Sequence, residues 1–243
     1  MAGHSKWAQI KRKKAVADAK RGKLFTKLIR EITIAARQGG GNPEGNPRLR
    51  LAIEQARAAN MPMENIERAI KKATGELEGS KYEEILYEGY GPGGIAILIE
   101  AVTDNKNRTV SEIRHLFSRH GGRLAETGSV NWKFQRKGII TISKEKISED
   151  DLIMLALDAG ADDVITESDY YEIQTTLENF EKVRKALSEK GLKIESASLQ
   201  YVPQNLMKID GKDNETALKL LEVLEDHDDV QNVYTDADLT EIE

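Results

Sequence analysis

The sequence contains no cysteine. That excludes a disulfide framework and thiolate chemistry, and it fits a reducing compartment. No long apolar run is present either. The longest purely aliphatic stretch, Ile95-Ala96-Ile97-Leu98-Ile99, stops at Glu100 and is far too short to cross a bilayer. Residues 1–20 are basic but hold no apolar segment or small-residue cleavage site, so a secretory signal is not expected and the cytoplasm is. Metal-site spacing is missing as well: His4, His115, His120 and His227 are scattered, and zinc needs clustered ligands. Asp150-Asp151, Asp162-Asp163 and Asp228-Asp229 fall where helix caps or turns are expected, which suits solvated acids better than a magnesium site.

Catalytic signatures are equally scarce. No serine, threonine or lysine sits in a nucleophile elbow or a similar motif. Gly89-Tyr90-Gly91-Pro92-Gly93-Gly94 spells GxGxxG, but a dinucleotide fingerprint needs a helix to follow, and here the next residues are the strand-like Ile95 to Ile99. No Lys-Ser/Thr pair follows, so a phosphate-binding Walker loop fails too. A hairpin turn is the better reading, with glycine supplying positive φ. The sequence therefore predicts a protein that is not an enzyme and holds no cofactor or metal.

What is present is charge, and it is segregated. The net charge of −5 is the sum of two opposed regions: residues 1–75 hold 17 Lys+Arg against 6 Asp+Glu, and the other 168 residues hold 19 against 35. This reads as a basic binding module joined to an acidic body. Lys6, Lys11, Arg12, Lys13, Lys14, Lys20, Arg21, Lys23 and Lys27 fall within 22 positions, opposed by Asp18 alone. Concentrated positive charge on a segment too polar to fold by itself points to nucleic acid. Trp7 beside it offers either a stacking plane for a base or an anchor for the arm in a core. A second, weaker patch spans residues 106–137, with 8 Lys+Arg against 2 acids. Arg108, His115 and Arg119 share a helix face there, and Arg123, Lys133, Arg136 and Lys137 follow. Residues 138–243, with 10 Lys+Arg and 26 acids, should turn away from phosphate or touch a basic protein.

A chain of 243 residues suits two or three domains. Leu24, Leu28, Ile32 and Ala35 recur at helical spacing, with Phe25, Ile29 and Ala36 beside them. Leu49, Ile53 and Ala56, then Ile66, Ala69, Ile70 and Ala73, mark two further helices. These predict a three-helix bundle behind a basic arm over residues 1–78. Beyond it, strands are expected at 82–90, 95–102 and 130–134, with a helix at 109–120. Strand 139–142, helix 149–159, strands 163–167 and 170–176, helix 178–190 and strand 193–202 then give the β-α-β-β-α-β order of a ferredoxin-like fold. Helix 215–224 and strand 230–234 are left to complete the earlier set. The predicted class is α+β: an acidic ferredoxin-like domain, residues 137–203, inserted into a discontinuous domain of 79–136 plus 204–243.

The opening Met1-Ala2-Gly3-His4-Ser5-Lys6-Trp7, then Lys11-Arg12-Lys13 and Asp18-Ala19-Lys20-Arg21-Gly22-Lys23, resemble the YebC/PmpR family. So do Gly40-Gly41-Asn42-Pro43, Asn60-Met61-Pro62, Tyr87-Glu88-Gly89-Tyr90-Gly91-Pro92-Gly93-Gly94, Thr103-Asp104-Asn105-Lys106-Asn107-Arg108-Thr109, Gly121-Gly122 and Gly128-Ser129-Val130. The resemblance runs the length of the chain and implies a cytoplasmic protein of three domains, usually described as a DNA-binding transcriptional regulator. It also implies a competing, translational role, since relatives include bacterial ribosome-associated factors that relieve stalling and a mitochondrial translational activator. Helices two and three, joined across Ala59-Asn60-Met61-Pro62, could form a helix-turn-helix. Glu64 and Glu67 stand against that, because acid at the start of a recognition helix repels the duplex. The expected partner is DNA or RNA, including the ribosome, and the expected contacts are the nine arm cations with Trp7, Arg108 and Arg119.

Overall fold

The computed structural model describes residues 7, 10, 21–79 and 81–240. It divides into two units, one holding Trp132–Leu206 and the other Trp7–Asn131 together with Met207–Glu243, as far as these are described. The fold class is α+β, with a helical N-terminal region and two antiparallel four-stranded sheets. No helix among the described residues is long and apolar enough to cross a membrane.

In the larger unit, α1 (Arg21–Gly39), α2 (Pro47–Ala58) and α3 (Met63–Thr74) form a bundle. Leu28, Ile32, Ala35 and Ala36 of α1 meet Leu49, Ala52, Ile53 and Ala56 of α2 and Ile66 and Ala69 of α3. Asn46 is the joint between α1 and α2. Its carboxamide oxygen caps α2 by accepting from the Leu49 N–H at 3.1 Å, and its Nδ2 donates to the carbonyls of Ala35 and Gly40, both at 2.8 Å. The single-stripe reading of α1 is incomplete at both ends. Leu24 is 46% exposed, whereas residues 32–36 are all buried, so that part of the helix is covered all round.

The second layer of this unit is a sheet in which β3 (Arg123–Leu124), β1 (Glu83–Tyr90), β2 (Ala96–Thr103) and β9 (Val230–Thr235) lie side by side in that order. Strands β1 (Glu83–Tyr90) and β2 (Ala96–Thr103) form a hairpin. The glycine-rich motif is its turn, where Gly93 and Gly94 take φ of 69° and 83°, a region closed to most side chains. Helix α4 (Lys106–Arg119) starts at Asn105, whose side chain accepts from the Arg108 N–H at 3.1 Å. Strand β9 (Val230–Thr235), following α7 (Gly211–Glu225), pairs with β2. Ile113 and Phe117 of α4 and Leu218, Leu220, Leu221 and Leu224 of α7 share a core with Ile97 and Ile99 of β2. A short parallel pair, β8 (Met207–Lys208) with β10 (Ala237–Asp238), closes the unit.

The strand expected at 130–134 does not form. The fourth strand is β3, only Arg123–Leu124, and residues 131–133 are a 3-10 turn. The cause is Glu88. This carboxylate is buried in β1 and accepts the backbone N–H groups of Gly128 (2.7 Å), Val130 (2.7 Å) and Asn131 (2.9 Å). Those donors are thereby removed from any ladder. Burial opposes ionisation of Glu88, but the ring of donated N–H groups outweighs it and holds its pKa below the ordinary carboxylate value.

The smaller unit is ferredoxin-like. Strand β4 (Phe134–Ser143), α5 (Glu149–Ala159), β5 (Asp163–Thr166), β6 (Tyr170–Thr175), α6 (Phe180–Glu189) and β7 (Ile194–Pro203) give an antiparallel sheet of order β5-β6-β4-β7. Strand β4 begins at Phe134, earlier than the expected 139, and so absorbs the end of the strand misplaced at 130–134. At Gly138 a Cβ would sit 2.3 Å from the Phe180 ring, so α6 can lie against the sheet only over a residue without a side chain.

Candidate nucleic-acid interface

The predicted contacts separate into three groups. Lys6, Lys11, Arg12, Lys13, Lys14 and Lys20 lie outside the described residues, as does the side chain of Arg21 at the start of α1. The second group is turned inward. Trp7 is 2% exposed in the core with Ile97, Ile99 and Leu218, and its indole Nε1 donates to Glu225 at 3.4 Å. Its ring therefore presents no face for a base, and of the two readings of Trp7 the anchor is the one observed.

Lys23 and Lys27 are also engaged within the unit. Lys23 Nζ donates to the Asp226 carbonyl at 2.9 Å and Lys27 Nζ to the Glu225 carbonyl at 2.8 Å. Arg30, one turn further on, donates to the Asp228 carbonyl and, at 3.2 Å, to that of Val102. These three cations lie at i, i+4 and i+7; Lys23 and Lys27 face the end of α7, where unpaired carbonyls concentrate the negative end of the helix dipole, and Arg30 faces the loop just beyond it and β2. They clamp α1 to the second layer. Sequence reading counted Lys23 and Lys27 with the arm and left Arg30 out, because their partners lie some 200 and 70 positions further along the chain. The one local signal was their 23/27/30 spacing, which puts them on a single face.

Beneath this clamp lies Asp229, a buried carboxylate. Arg30 Nη1 reaches its Oδ1 at 2.9 Å. Its Oδ2 accepts from Arg108 at 2.8 Å, Thr109 at 2.6 Å and Thr103 at 3.2 Å. Burial would raise its pKa, yet the hydrogen bonds from Arg108 and Thr109 and the two guanidinium charges hold it below the ordinary range. Arg108, predicted to face a polymer, is thus half turned to the interior. Its side chain is 43% exposed, it also pairs with Asp104 at 3.1 Å, and these acids raise its pKa. Glu112, His227 and Asp229 bring ligand-type atoms within 4.8 Å of one another. The oxygens of Asp229 are already taken by two arginines, however, and His227 Nε2 is 2.8 Å from Glu112 while its Nδ1 accepts the Asp229 N–H at 3.1 Å. A cation placed there would be repelled by the guanidinium groups.

The third group is outward. Arg119 is exposed on α4, together with Arg114 and His115. Arg123 lies over the Tyr90 ring, 4.8 Å from its centre. It lines an open groove of about 260 Å³ with Tyr90, Gly91, Gly94, Gly121 and Gly122. Of the run 106–137, Lys133, Arg136 and Lys137 belong to the smaller unit and the other cations to the larger. In the suggested helix-turn-helix, Asn60 takes the left-handed turn at φ 59°. At the start of α3, Glu64 pairs with Arg68 one turn on, and Glu67 is exposed.

Comparison with known proteins covers nearly all of this chain. The model of the TACO1/YebC protein N-terminal domain matches residues 5–76, and that of the TACO1/YebC second and third domain matches residues 82–237. A "probable transcriptional regulatory protein" of Chlorobaculum parvum is 59% identical over 99% of this chain and 96% of its own length. One of the same name from Thermotoga petrophila is 56% identical over 100% and 96%. The crystal structure of a conserved hypothetical protein from Aquifex aeolicus superimposes with a TM-score of 0.86 at 50% identity, covering 93% of each chain. A chain matched over its length in this way, in both sequence and fold, belongs to the TACO1/YebC family.

Proposed function

We propose that this protein is a non-enzymatic, nucleic-acid-binding regulator of gene expression that grips its polymer mainly through phosphate contacts from the basic N-terminal segment. The observation that carries this reading is the charge segregation, 17 Lys+Arg against 6 acids in residues 1–75. Lys23 and Lys27 are committed to the end of α7 and Arg30 to the loop beyond it, so the grip falls to Lys6, Lys11 to Lys14, Lys20 and Arg21, with Arg119 on α4 as an outlying contact. The names of the bacterial relatives support regulation of transcription.

A second reading, a translation factor that binds ribosomal RNA, is favoured by one feature. Glu64 and Glu67 occupy the first turns of α3, where a helix reading base edges would meet the duplex. A protein that grips phosphate without reading bases fits folded RNA as well as DNA. Binding to promoter DNA, random duplex and purified ribosomes at physiological salt distinguishes the two. Promoter discrimination of roughly 10³ or more supports the operator-reading regulator. Weak discrimination, with ribosome binding that competitor duplex does not abolish, supports the translation factor. Failure to bind any of the three removes the proposal.

A further inference from the structure

The molecule has two tryptophans, and they are treated in opposite ways. Trp7 is 2% exposed, whereas Trp132 is 68% exposed. A large aromatic left in water forgoes a burial gain of a few kcal/mol, and Trp132 is not displayed on a slack loop. Its 3-10 turn continues directly into β4, and Gln204 holds it at two points. The Gln204 side-chain amide donates to the Trp132 carbonyl at 3.2 Å, and its backbone N–H donates to the Lys133 carbonyl at 2.9 Å. The backbone that carries the exposed indole is thus held where β4 begins.

Its surroundings are basic and aromatic. Lys133 Nζ lies 6.0 Å from the Trp132 ring centre. Arg136 is directly opposite Tyr201 in the β4–β7 register and lies 5.7 Å over that ring. An exposed aromatic face with a cation beside it, and a second cation–ring pair on the adjoining strands, are features that an unpaired base and its flanking phosphates require. A protein interface gives a less complete account, because Gln135 and Arg136, next along the chain, and Gln204, bonded to the Trp132 carbonyl, are polar and exposed.

We infer that Trp132, with Lys133 beside it, is a stacking platform for an unpaired base of single-stranded nucleic acid, and that Arg136 over Tyr201 on the strands that follow supplies a further cation. This rests on the nucleic-acid reading above and adds to it a contact outside the basic N-terminal segment. The platform has no requirement for base identity, since every base has a π-face.

The test titrates the full-length protein with fluorescein-labelled 12-nucleotide oligouridylate, 12-nucleotide oligothymidylate and a 12-base-pair duplex. Binding is followed by anisotropy, and tryptophan emission is read with unlabelled strands. Trp132→Ala is expected to weaken both single strands roughly 10-fold and leave the duplex unchanged, whereas Trp132→Phe keeps affinity close to that of the wild type. Single strands should quench the wild-type emission and leave that of Trp132→Phe, which reports Trp7, unaltered. Uridylate and thymidylate binding alike satisfy the proposal, and tighter uridylate binding would add a 2′-hydroxyl contact. Wild-type single-strand affinity in Trp132→Ala, or unaltered wild-type emission at saturation, overturns the platform while leaving the arm intact. Failure to bind any of the three oligonucleotides overturns both.

Discussion

Arg30 Nη1 lies 2.9 Å from Asp229 Oδ1, an ion pair that joins the first helix of the bundle to the residue preceding the last strand of the second layer. Arg108 approaches the other carboxylate oxygen at 2.8 Å, so one buried acid holds cations from two helices. Replacing it by asparagine leaves both guanidinium groups facing a neutral amide. Asp229→Asn is expected to cost about 3 kcal/mol or more, read as a lowered urea midpoint with an unchanged m-value.

The same carboxylate sets part of the acid sensitivity. The folded pKa values of Asp229 and Glu88 are both depressed. Each therefore stabilises the fold above its unfolded value of roughly 4, and the contribution is lost as pH falls through the folded pKa. Stability should be level near neutrality and fall below about pH 4. The fall should be shallower in Glu88→Gln, measured as urea midpoints between pH 6 and 2.

Glu88→Gln also tests the loop. A neutral amide oxygen is a weaker acceptor for the N–H groups of Gly128, Val130 and Asn131, and the expected cost is about 2 kcal/mol. Amide hydrogen exchange should accelerate at those three residues first. Unaltered protection there would mean that the loop holds its shape without the carboxylate.

The cations divide into two classes with opposite expected phenotypes. Reversing Lys11, Arg12, Lys13 and Lys14 to Glu should nearly abolish nucleic-acid binding and leave the melting temperature in place. If the wild type meets about 6 phosphates on duplex DNA, log K should fall against log salt with a slope near −5. Lys27→Ala, which removes a donor to the Glu225 carbonyl, should cost about 1 kcal/mol of stability and leave that slope unchanged. Normal binding by the reversed arm would remove the phosphate-grip reading.

Glu64 and Glu67 supply a further control. If α3 entered a major groove, changing both to Gln would relieve repulsion and tighten duplex binding. The expected result is an affinity within about 2-fold of the wild type, because this helix packs Ile66 and Ala69 into the bundle and its acids face solvent. A large gain on one specific duplex would establish α3 as a reading helix.

Long periodic elements were legible in the sequence: the three helices of the bundle and the β-α-β-β-α-β order, where apolar spacing switches cleanly between the helical period and alternation. Arg123–Leu124 was not, since two residues cannot display a period. Val130, Trp132 and Phe134 did alternate, and misled, because the decisive partner of that segment is the Glu88 carboxylate some 40 positions earlier. The arm was visible as charge, but charge does not reveal its partner. Lys23 and Lys27 looked like Lys11 and Lys13 until the carbonyls at the end of α7 were placed beside them.

Strand β9 enters the sheet beside β2, with Ile97 opposite Thr235, although the whole ferredoxin-like unit is made between them. On a ribosome adding roughly 5–20 residues per second, β2 waits on the order of 10 s for its neighbour. Throughout that interval Ile97 and Ile99 lack the cover of β9 and α7, while the unit emerging meanwhile has all four of its strands in hand and can close first. A stretch made well after the ferredoxin-like unit is thus the one that completes the earlier layer. A truncation before Val230 would leave β2 as an open sheet edge prone to pair with another chain.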